Sequence, residues 1–293
     1  MSPGGRRFYK MSGSGNDFVF FDARSEPAGT LTSASEIQRI CARGTGVGAD
    51  GIVVLRPSPT ASVGIDYYNS DGSLASLCGN ATLCATGLSI LLGIAPPGAA
   101  GLTVETGAGV LAARVTEGLP EIDLEPVTVV KGRFDAPLGP GEQAIGFAVA
   151  GVPHLVVLSD DVDGIDVPAR GPVLRHHRSL VDGANVNWVS RRPDGQWAMR
   201  TFERGVEGET LACGIGAVAV AVLLATWGRG GLETPLVTRS GRVLVVRLGR
   251  GQAEAGSRKP EASRHSPGPD TPVWRPTLRG EGRLVFEGKL PEA

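Results

Sequence analysis

The segment TLACGIGAVAVA, residues Thr210–Ala221, places a cysteine between a polar stretch and a strongly apolar one. An earlier segment, SLCGNATLCATG at Ser76–Gly87, repeats the arrangement. Cys78 and Cys213 therefore stand at two similar junctions, each followed directly by a glycine. Both junctions predict that the cysteine lies at the start of a helix.

The two predicted helices are apolar on nearly all sides. They span about residues 79–92 and 214–227, and Gly93 and Gly228 end them. A helix without a polar face is surrounded by protein rather than lying on a surface. We therefore expect both helices to be buried.

The segments before the two cysteines also correspond to each other. YYNSDGSLASLCG aligns with TFERGVEGETLACG, so Asn69 and Arg204 each stand nine positions before their cysteine. GNDFVFFD and GVPHLVVLSD each lie roughly 60 residues ahead of a cysteine. This internal duplication predicts two lobes, each contributing a cysteine, a helix start and a strand.

The composition is that of an ordinary globular chain of 293 residues, 41% hydrophobic and 20% charged, with a net charge of −1. This balance gives no reason to expect nucleic acid or a membrane as a partner. The first residues, MSPGGRRFYK, lack the apolar core of a signal peptide, and the longest apolar run, Ala217–Ala225, is too short to span a bilayer. We expect a cytoplasmic enzyme or binding protein.

The four cysteines are too few for a disulfide scaffold in a chain of this length. No Cys-x-x-Cys pair is present, which argues against a structural zinc site. We interpret Cys41 and Cys84 as small buried hydrophobic residues. Only Cys78 and Cys213 carry a functional prediction.

Short apolar runs bounded by Gly, Pro, Asp and Asn predict strands, and one amphipathic stretch, Ser33–Arg43, predicts a helix capped by Ser33. The segment 249–270 is rich in Gly, Ser and Pro without an apolar period, and it predicts a flexible surface loop. The predicted strands are Asp17–Ala23, Gly51–Arg56, His154–Asp160, Asn185–Ser190 and Arg242–Gly249.

A cysteine at a helix start lies among unpaired backbone N–H groups and at the positive end of the helix dipole. Both features favour the thiolate, and the same amides can bind a carboxylate. Gly79 and Gly214, which follow the cysteines, let a ligand approach the backbone closely. Two such units acting on one small molecule would place a thiol on either side of it. This arrangement suits removal of a proton from one face of a carbon and its delivery to the other.

The chain resembles the diaminopimelate epimerases, a family of amino-acid epimerases that work without pyridoxal phosphate. KMSGSGNDFVFFD resembles the family's opening segment, and GVGADG resembles its glycine-rich turn. YYNSDGSLASLCGN carries the first cysteine motif and RTFERGVEGETLACGIGA the second, with GVPHLVV and GANVNWV between them. RLVFEG resembles the terminal strand. The resemblance covers nearly the whole chain.

The resemblance implies an α/β fold of the α+β type. It has two pseudo-symmetric lobes, each a curved, mainly antiparallel sheet wrapped around a central helix. The N-terminal lobe would comprise residues 1–127 and 271–293 and carry Cys78. The C-terminal lobe would comprise residues 128–248 and carry Cys213, and the site would lie in the cleft between the lobes.

The implied activity is the interconversion of LL- and meso-diaminopimelate, an isomerase step of lysine and peptidoglycan precursor synthesis. Cys78 and Cys213 would be the two acid/base thiols, with His154 and Glu203 supporting them. The resemblance implies no organic cofactor and no metal, and a small amino acid as the partner, with a homodimer as one option. Its substrate-contacting positions correspond to Asn16, Asn69, Gly79, Asn80, Asn185, Glu203, Arg204, Gly214 and Ile215.

The chain departs from the family pattern at four positions. Ala81 and Leu83 replace a glycine and an arginine near the first cysteine, and Ile215 replaces a hydroxyl residue after the second. Val152 stands where the family has a substrate-binding asparagine. These departures leave the reaction intact but make the substrate less certain, so a racemase for another amino acid is the alternative.

Two interpretations from other classes stay open. Cys78 with His154 could form the nucleophile and base of a thiol hydrolase, but Cys213 would then have no role. A pair of non-catalytic binding lobes would explain the carboxylate sites but not the two thiols. Incorporation of solvent hydrogen at the substrate's α-carbon separates the three, since only the epimerase requires it.

Overall fold

The computed structural model describes residues 5–95, 101–251 and 273–290. They form two compact units. Unit 1 comprises Met1–Ile122 and Arg279–Ala293, and unit 2 comprises Asp123–Leu278.

The expected lobes divide the chain differently, at 127/128 and at 271. Residues 123–127 and the segment before Arg279 belong to unit 2 because they pair with each other. The backbone groups of Val127 and Trp274 exchange two hydrogen bonds, and Leu124 N–H donates to the carbonyl of Pro276. This pairing keeps both segments in one unit.

Strands are the main secondary structure of both units. In chain order they are β1 Arg6–Gly13, β2 Asn16–Asp22, β3 Gly51–Arg56, β4 Val63–Asn69, β5 Leu74–Ala75, β6 Leu102–Thr106, β7 Gly109–Thr116, β8 Leu119–Asp123, β9 Val129–Lys131, β10 Glu142–Ala150, β11 Val152–Ser159, β12 Asn185–Arg191, β13 Trp197–Glu203, β14 Gly208–Thr210, β15 Glu233–Val237, β16 Val243–Gly251, β17 Val273–Arg279 and β18 Arg283–Leu290. The α-helices are α1 Ala34–Cys41, α2 Gly79–Leu91, α3 Val167–Arg175 and α4 Gly214–Thr226, and a short 3₁₀ helix covers Gly29–Thr32.

Unit 1 wraps a sheet around α2. β1 pairs antiparallel with β2 and β18, β2 pairs parallel with β3, and β3 pairs antiparallel with β4. β4 pairs antiparallel with β5 and parallel with β6, and β6, β7 and β8 form an antiparallel meander. Helix α2 contacts β1, β3, β4, β6, β7 and β18, and most of its residues are buried. The sheet therefore encloses the apolar helix that the sequence predicts.

Unit 2 repeats this order of pairings. β10 pairs antiparallel with β11, β11 parallel with β12, and β12 antiparallel with β13. β13 pairs antiparallel with β14 and parallel with β15, and β15 pairs antiparallel with β16. Helix α4 contacts β10, β11, β12, β15 and β16. The equal order of parallel and antiparallel pairs confirms the internal duplication.

The register of the strands corrects one detail of that duplication. Ile52 pairs with Tyr68 in unit 1, and the corresponding Val186 pairs with Phe202 in unit 2. The next residues along the two strands are Asn69 and Glu203, so Asn69 corresponds to Glu203 rather than to Arg204. The reason is the turn that follows: residues 69–73 separate the paired Tyr68 and Leu74, whereas residues 203–208, one more, separate the paired Phe202 and Glu209. Equal distances to the cysteine therefore do not mark equivalent positions.

The three predicted helices are confirmed, and the hydroxyl of Ser33 caps α1 by accepting a hydrogen bond from Glu36 N–H. Gly93 and Gly228, which follow α2 and α4, have positive φ angles of 65° and 67°, as expected for residues that end a helix. The predicted strands are also present, but the last one runs to Gly251. Residues 249–251 are therefore strand rather than loop, and 252–270 lie outside the described residues.

None of the helices in the described part of the chain is long and apolar enough to cross a membrane. The sequence also left several strands unpredicted, among them β1, β10 and β13, as well as helix α3. β13 shows why, because its buried residues include Arg200 and Thr201, and polar side chains interrupt the apolar pattern.

We expect Leu223→Ala to lower the free energy of unfolding by about 2–5 kcal/mol, since it removes a fully buried side chain from the centre of unit 2. Leu223 packs against β10 so closely that a Cβ at Gly146 would lie 2.8 Å from its Cδ2 atom. The matched control is Leu232→Ala, whose side chain is 58% exposed and should cost about 0.5 kcal/mol or less. Urea unfolding of both variants measures the difference, and equal losses would contradict a core built around α4.

Candidate active site at two cysteine-capped helices

Cys213 is the residue that caps helix α4. Its backbone is extended, with φ −138° and ψ 108°, while Gly214 begins the helix. Its sulfur accepts a hydrogen bond from Gly216 N–H at 3.2 Å. The thiol is half-buried and therefore within reach of a small molecule. The structure thus places the sulfur among the free amides of the first turn, as the sequence predicts.

A buried polar network lies next to this helix start. His154 on β11 and Asn187 on β12 are both fully buried. The amide nitrogen of Asn187 lies 3.2 Å from Nδ1 of His154, and Thr201 donates to the amide oxygen of Asn187 at 3.0 Å. Burial, with a smaller contribution from the charge of Arg204, lowers the pKa of His154 to about 3. His154 is therefore neutral at physiological pH.

The remaining predicted residues of unit 2 lie at the ends of the same strands. Asn185 pairs with His154 across β11 and β12, and its side-chain oxygen accepts a hydrogen bond from Arg204 N–H at 2.7 Å. Glu203 ends β13 and accepts a hydrogen bond from the Thr210 hydroxyl at 2.5 Å. Thr210 stands three residues before Cys213. Unit 2 therefore brings its predicted site residues to one region around the start of α4.

Cys78 has the same local geometry in unit 1. It caps α2 with φ −134° and ψ 115°, close to the values at Cys213, and its thiol is half-buried. In the first turn, Asn80 is buried and donates from Nδ2 to Oδ1 of Asn16 at 2.7 Å. Asn16 in turn donates to Asp50 at 3.0 Å. Two predicted binding residues are thus linked to each other next to the first thiol.

Asp50 connects this pair to a charged cluster. Its carboxylate accepts hydrogen bonds from Asn16, from Asp17 N–H and from Arg43. Burial raises the pKa of the neighbouring Asp17, but hydrogen bonds from Arg43 and Lys10 outweigh it and leave that pKa below its usual value. Asp17 is therefore ionised and binds both Lys10 and Arg43. Arg43 also binds Asp50, so this cluster holds in place the Asp50 carboxylate that accepts the hydrogen bond from Asn16.

Asn69 ends β4 opposite Gly51, and its side-chain nitrogen donates to the Ser73 hydroxyl at 3.0 Å. This contact belongs to the turn between β4 and β5. No hydrogen bond that the structure describes joins Asn69 to Asn16 or Asn80. Its place in the site stays a prediction from the family resemblance.

The other two cysteines are not suited to acid/base work. Burial raises the pKa of Cys41 to about 11 and places that of Cys84 well above its ordinary value. Both side chains are buried in unit 1. At neutral pH they stay protonated, in agreement with their interpretation as small hydrophobic residues.

The four residues that depart from the family pattern differ in burial and position. Ala81 and Leu83 are fully buried in α2, where they pack inside unit 1, while Ile215 is half-buried in the first turn of α4. Val152 begins β11 as Asn16 begins β2. Unit 2 therefore has an apolar side chain at the position where unit 1 has an asparagine.

Asn187, Thr201 and Asp50 are polar residues of these regions that the sequence analysis did not single out as site residues. Asn187 could have been found, because it follows Asn185 at the strand period and faces the same side of β12. Thr201 is recognisable only through its partner on the neighbouring strand. Within the described ranges, no group of three or more His, Cys, Asp and Glu residues is placed to hold a metal ion.

A family model described as diaminopimelate epimerase matches residues 8–133 and 146–253 of the chain. The chain belongs to the diaminopimelate epimerase family. A diaminopimelate epimerase of Gemmatimonas aurantiaca is 51% identical over 97% of the chain and 98% of its own length. A diaminopimelate epimerase of Aquifex aeolicus is 36% identical with the same coverage of both chains.

Solved structures share the fold at low sequence identity. A phenazine biosynthesis protein of the PhzF family from Bacillus anthracis has a TM-score of 0.70 at 16% identity and covers 98% of this chain and 99% of its own. A probable proline racemase from Agrobacterium radiobacter, with bound carbonate, has a TM-score of 0.66 at 15% identity, covering 98% and 93%. These similarities confirm the expected fold class, that of the diaminopimelate epimerase type.

We expect the buried neutral His154 to make unfolding dependent on pH. Its pKa of about 3 in the folded chain lies below the ordinary value of 6.5, so between these pH values the imidazole is protonated in the unfolded chain but not in the folded one. The contribution of His154 to the free energy of unfolding is fully present above pH 6.5 and is lost as the pH falls from 6.5 towards 3. Between pH 8 and pH 5 the loss amounts to about 2 kcal/mol.

The matched variant is His154→Phe, since Phe18 is the third residue of β2 as His154 is of β11. We measure the free energy of unfolding in urea at several pH values. Between pH 8 and pH 5 it should fall by about 2 kcal/mol less in the variant than in the unchanged protein. Parallel pH curves for the two proteins would show that His154 titrates normally in the folded state.

Proposed function

We propose that the protein interconverts LL- and meso-diaminopimelate by two-thiol acid/base catalysis without a cofactor. The observation that carries this proposal is the duplicated helix start, in which Cys78 and Cys213 cap buried helices with nearly equal backbone geometry. Membership of the diaminopimelate epimerase family supports the substrate. The product would serve lysine and peptidoglycan precursor synthesis.

The proposed reaction has two steps. One cysteine, as thiolate, removes the proton from the substrate's α-carbon and becomes a thiol, which leaves a carbanion next to the carboxylate. The other cysteine, as thiol, delivers its proton to the opposite face and becomes a thiolate. The charges and protons balance, and the reverse reaction exchanges the roles. The mechanism requires both sulfurs to reach opposite faces of one carbon.

The helix starts would hold the carboxylate of the reacting end. Backbone N–H groups of a helix's first turn carry partial positive charge, and they bind an anion without further side chains. In this chain Gly79 and Gly214 open the two helices, and Ile215 supplies an amide but no hydroxyl. The carbanion's charge spreads into the carboxylate, so the same amides stabilise it during the reaction.

The distal end of diaminopimelate needs a separate contact. Arg204 can pair with a carboxylate in bidentate geometry, and Asn185 fixes the backbone of Arg204 through its hydrogen bond at 2.7 Å. Val152 offers no polar group at the position of the family's asparagine. We propose that Arg204, with Asn69 and Asn185, compensates for that loss. A racemase for another amino acid is the alternative if it does not.

The geometry of His154 argues against the thiol hydrolase. A hydrolase needs an imidazole that takes up the proton of the nucleophile near neutral pH. His154 is fully buried, its Nδ1 faces the amide nitrogen of Asn187, and burial holds its pKa at about 3. Such a histidine is a poor general base. The two-thiol reaction does not ask it to carry a proton.

We also propose that the enzyme works in the cytoplasm. The mechanism needs both catalytic cysteines as thiols at the same time. A reducing compartment keeps them in that state, whereas an oxidising one favours disulfides. The described structure has all four cysteines in the free form, in agreement with this requirement.

We expect Cys78→Ala and Cys213→Ala each to abolish epimerisation, because a two-base reaction needs both thiols. The assay follows LL- to meso-diaminopimelate conversion in deuterium oxide and the deuterium at the α-carbon. Cys41→Ala is the matched control, since it removes a thiol that stays protonated. Full activity in either catalytic variant, with unchanged circular dichroism, would rule out the two-base assignment.

We expect Arg204→Ala to cost more activity on diaminopimelate than Val152→Asn gains. A hydrogen bond to a charged group contributes about 1.5–3 kcal/mol, or roughly tenfold to hundredfold in binding. Val152→Asn restores at most one such bond, whereas Arg204→Ala removes a charge pair. The measurement is kcat/KM for both variants on diaminopimelate and on a panel of monocarboxylic amino acids. Faster turnover of a monocarboxylic amino acid by the unchanged enzyme would favour the alternative substrate.

A further inference from the structure

The amide of Asn187 has its orientation fixed by three partners. The carbonyl of Leu155 accepts a hydrogen bond at 3.1 Å, so the nearby group of Asn187 must be the NH₂. The hydroxyl of Thr201 donates to the opposite oxygen at 3.0 Å. The second hydrogen of the NH₂ group is then directed at Nδ1 of His154, 3.2 Å away. All of these groups are buried, so water does not compete with the arrangement.

This orientation selects one tautomer of His154. A neutral imidazole has one N–H donor and one acceptor nitrogen. Since the Asn187 amide donates to Nδ1, that nitrogen must be the acceptor, and the proton must lie on Nε2. If Nδ1 carried the proton instead, two donors would face each other in a buried space. Nε2 has no hydrogen-bond partner among the described residues, so its N–H remains able to donate.

The same asparagine also touches the helix that carries the second thiol. A Cβ atom added at Gly216 would collide with Oδ1 of Asn187 and would lie 3.1 Å from the sulfur of Cys213. The N–H of Gly216 is the group that donates to that sulfur. The amide of Asn187 therefore packs directly against the turn that holds Cys213, and it joins this turn to His154.

Unit 1 lacks this arrangement. The residues at the corresponding register positions are Phe18 for His154, Gly51 for Asn185 and Val53 for Asn187. Phe18 and Val53 are buried and apolar. The network next to α4 is therefore particular to unit 2, although both units follow the same order of strand pairings. A purely structural core position would not need an asparagine, as Val53 shows.

We propose that Asn187 is a positioning residue for the part of the active site that unit 2 contributes, around Cys213. It holds His154 as the neutral tautomer with the proton on Nε2, and it seats the first turn of α4 against which Cys213 lies. The kinetic part of this inference rests on the proposed epimerase function, whereas the tautomer does not.

The decisive measurement is the protonation of the His154 ring, read by long-range proton–nitrogen NMR on the full chain labelled with ¹⁵N-histidine. The chain has four histidines, and His154→Phe identifies the signal of interest. In the unchanged protein, Nδ1 should be unprotonated and Nε2 protonated. Asn187→Asp should move the proton to Nδ1, because a carboxylate there accepts rather than donates.

Two further variants keep this test independent of folding defects. Thr201→Val removes the hydroxyl bonded to the oxygen of Asn187 but leaves its NH₂ donor, so the tautomer should not change. Asn187→Ala should give a mixture of both tautomers. A proton on Nδ1 in the unchanged protein, or the same tautomer in Asn187→Ala, would overturn the proposal.

The kinetic consequence separates positioning from stability. Asn187→Asp should lower kcat on diaminopimelate by about tenfold or more, with a smaller change in KM, because substrate contacts stay in place. Ser190→Ala is the control: Ser190 lies on β12 like Asn187, and the variant loses the buried hydrogen bond that the Ser190 hydroxyl accepts from Val162 N–H. Equal kcat losses in both variants would reduce Asn187 to a structural role. If the unchanged enzyme does not turn over diaminopimelate, the NMR result still decides the tautomer.

Discussion

Both units are organised by the first turn of a buried helix. An apolar helix needs a sheet around it, yet its first turn leaves backbone N–H groups without partners. In both units a cysteine with extended backbone fills that position, with a glycine opening the helix. The fold thereby keeps a polar, positively biased opening within an apolar interior, and a thiol and a carboxylate both suit such an opening.

The two units use the same backbone with different side chains. Strand pairing repeats in order, and the caps have φ and ψ angles within a few degrees of each other. Behind Cys78, a charged cluster of Asp17, Asp50 and Arg43 orients Asn16, whose oxygen receives a hydrogen bond from Asn80. Behind Cys213, neutral residues form the network. The two cysteines therefore stand at similar helix starts with different side chains around them.

Because His154 is neutral, the network that it forms with Asn187 and Thr201 can offer hydrogen bonds but no charge. A histidine without charge donates and accepts hydrogen bonds but does not exchange protons near pH 7, because its pKa is about 3. His154 therefore does not carry a proton in the proposed reaction. Burying the ring in its neutral form also avoids the desolvation cost of a buried cation, which amounts to several kcal/mol.

Features that neighbouring residues encode could be predicted without the structure. Apolar runs after Cys78 and Cys213, ended by Gly93 and Gly228, sufficed to predict α2 and α4 with the cysteines as caps. The ordered motifs sufficed to indicate the family. These features follow from neighbouring residues, whose propensities and spacing do not depend on distant partners.

The contacts between strands, in contrast, could be identified only from the three-dimensional structure. The spacing to the cysteines suggested that Asn69 and Arg204 correspond, but the strand register makes Asn69 equivalent to Glu203, because the turn that follows is one residue longer in unit 2. The partnership of Asn187 with His154 joins residues 33 positions apart and exists only because β11 and β12 lie side by side in one register. A one-residue shift in that register would turn Asn187 to the other face of the sheet. Long-range pairing sets such contacts, and no local pattern in the chain carries the information.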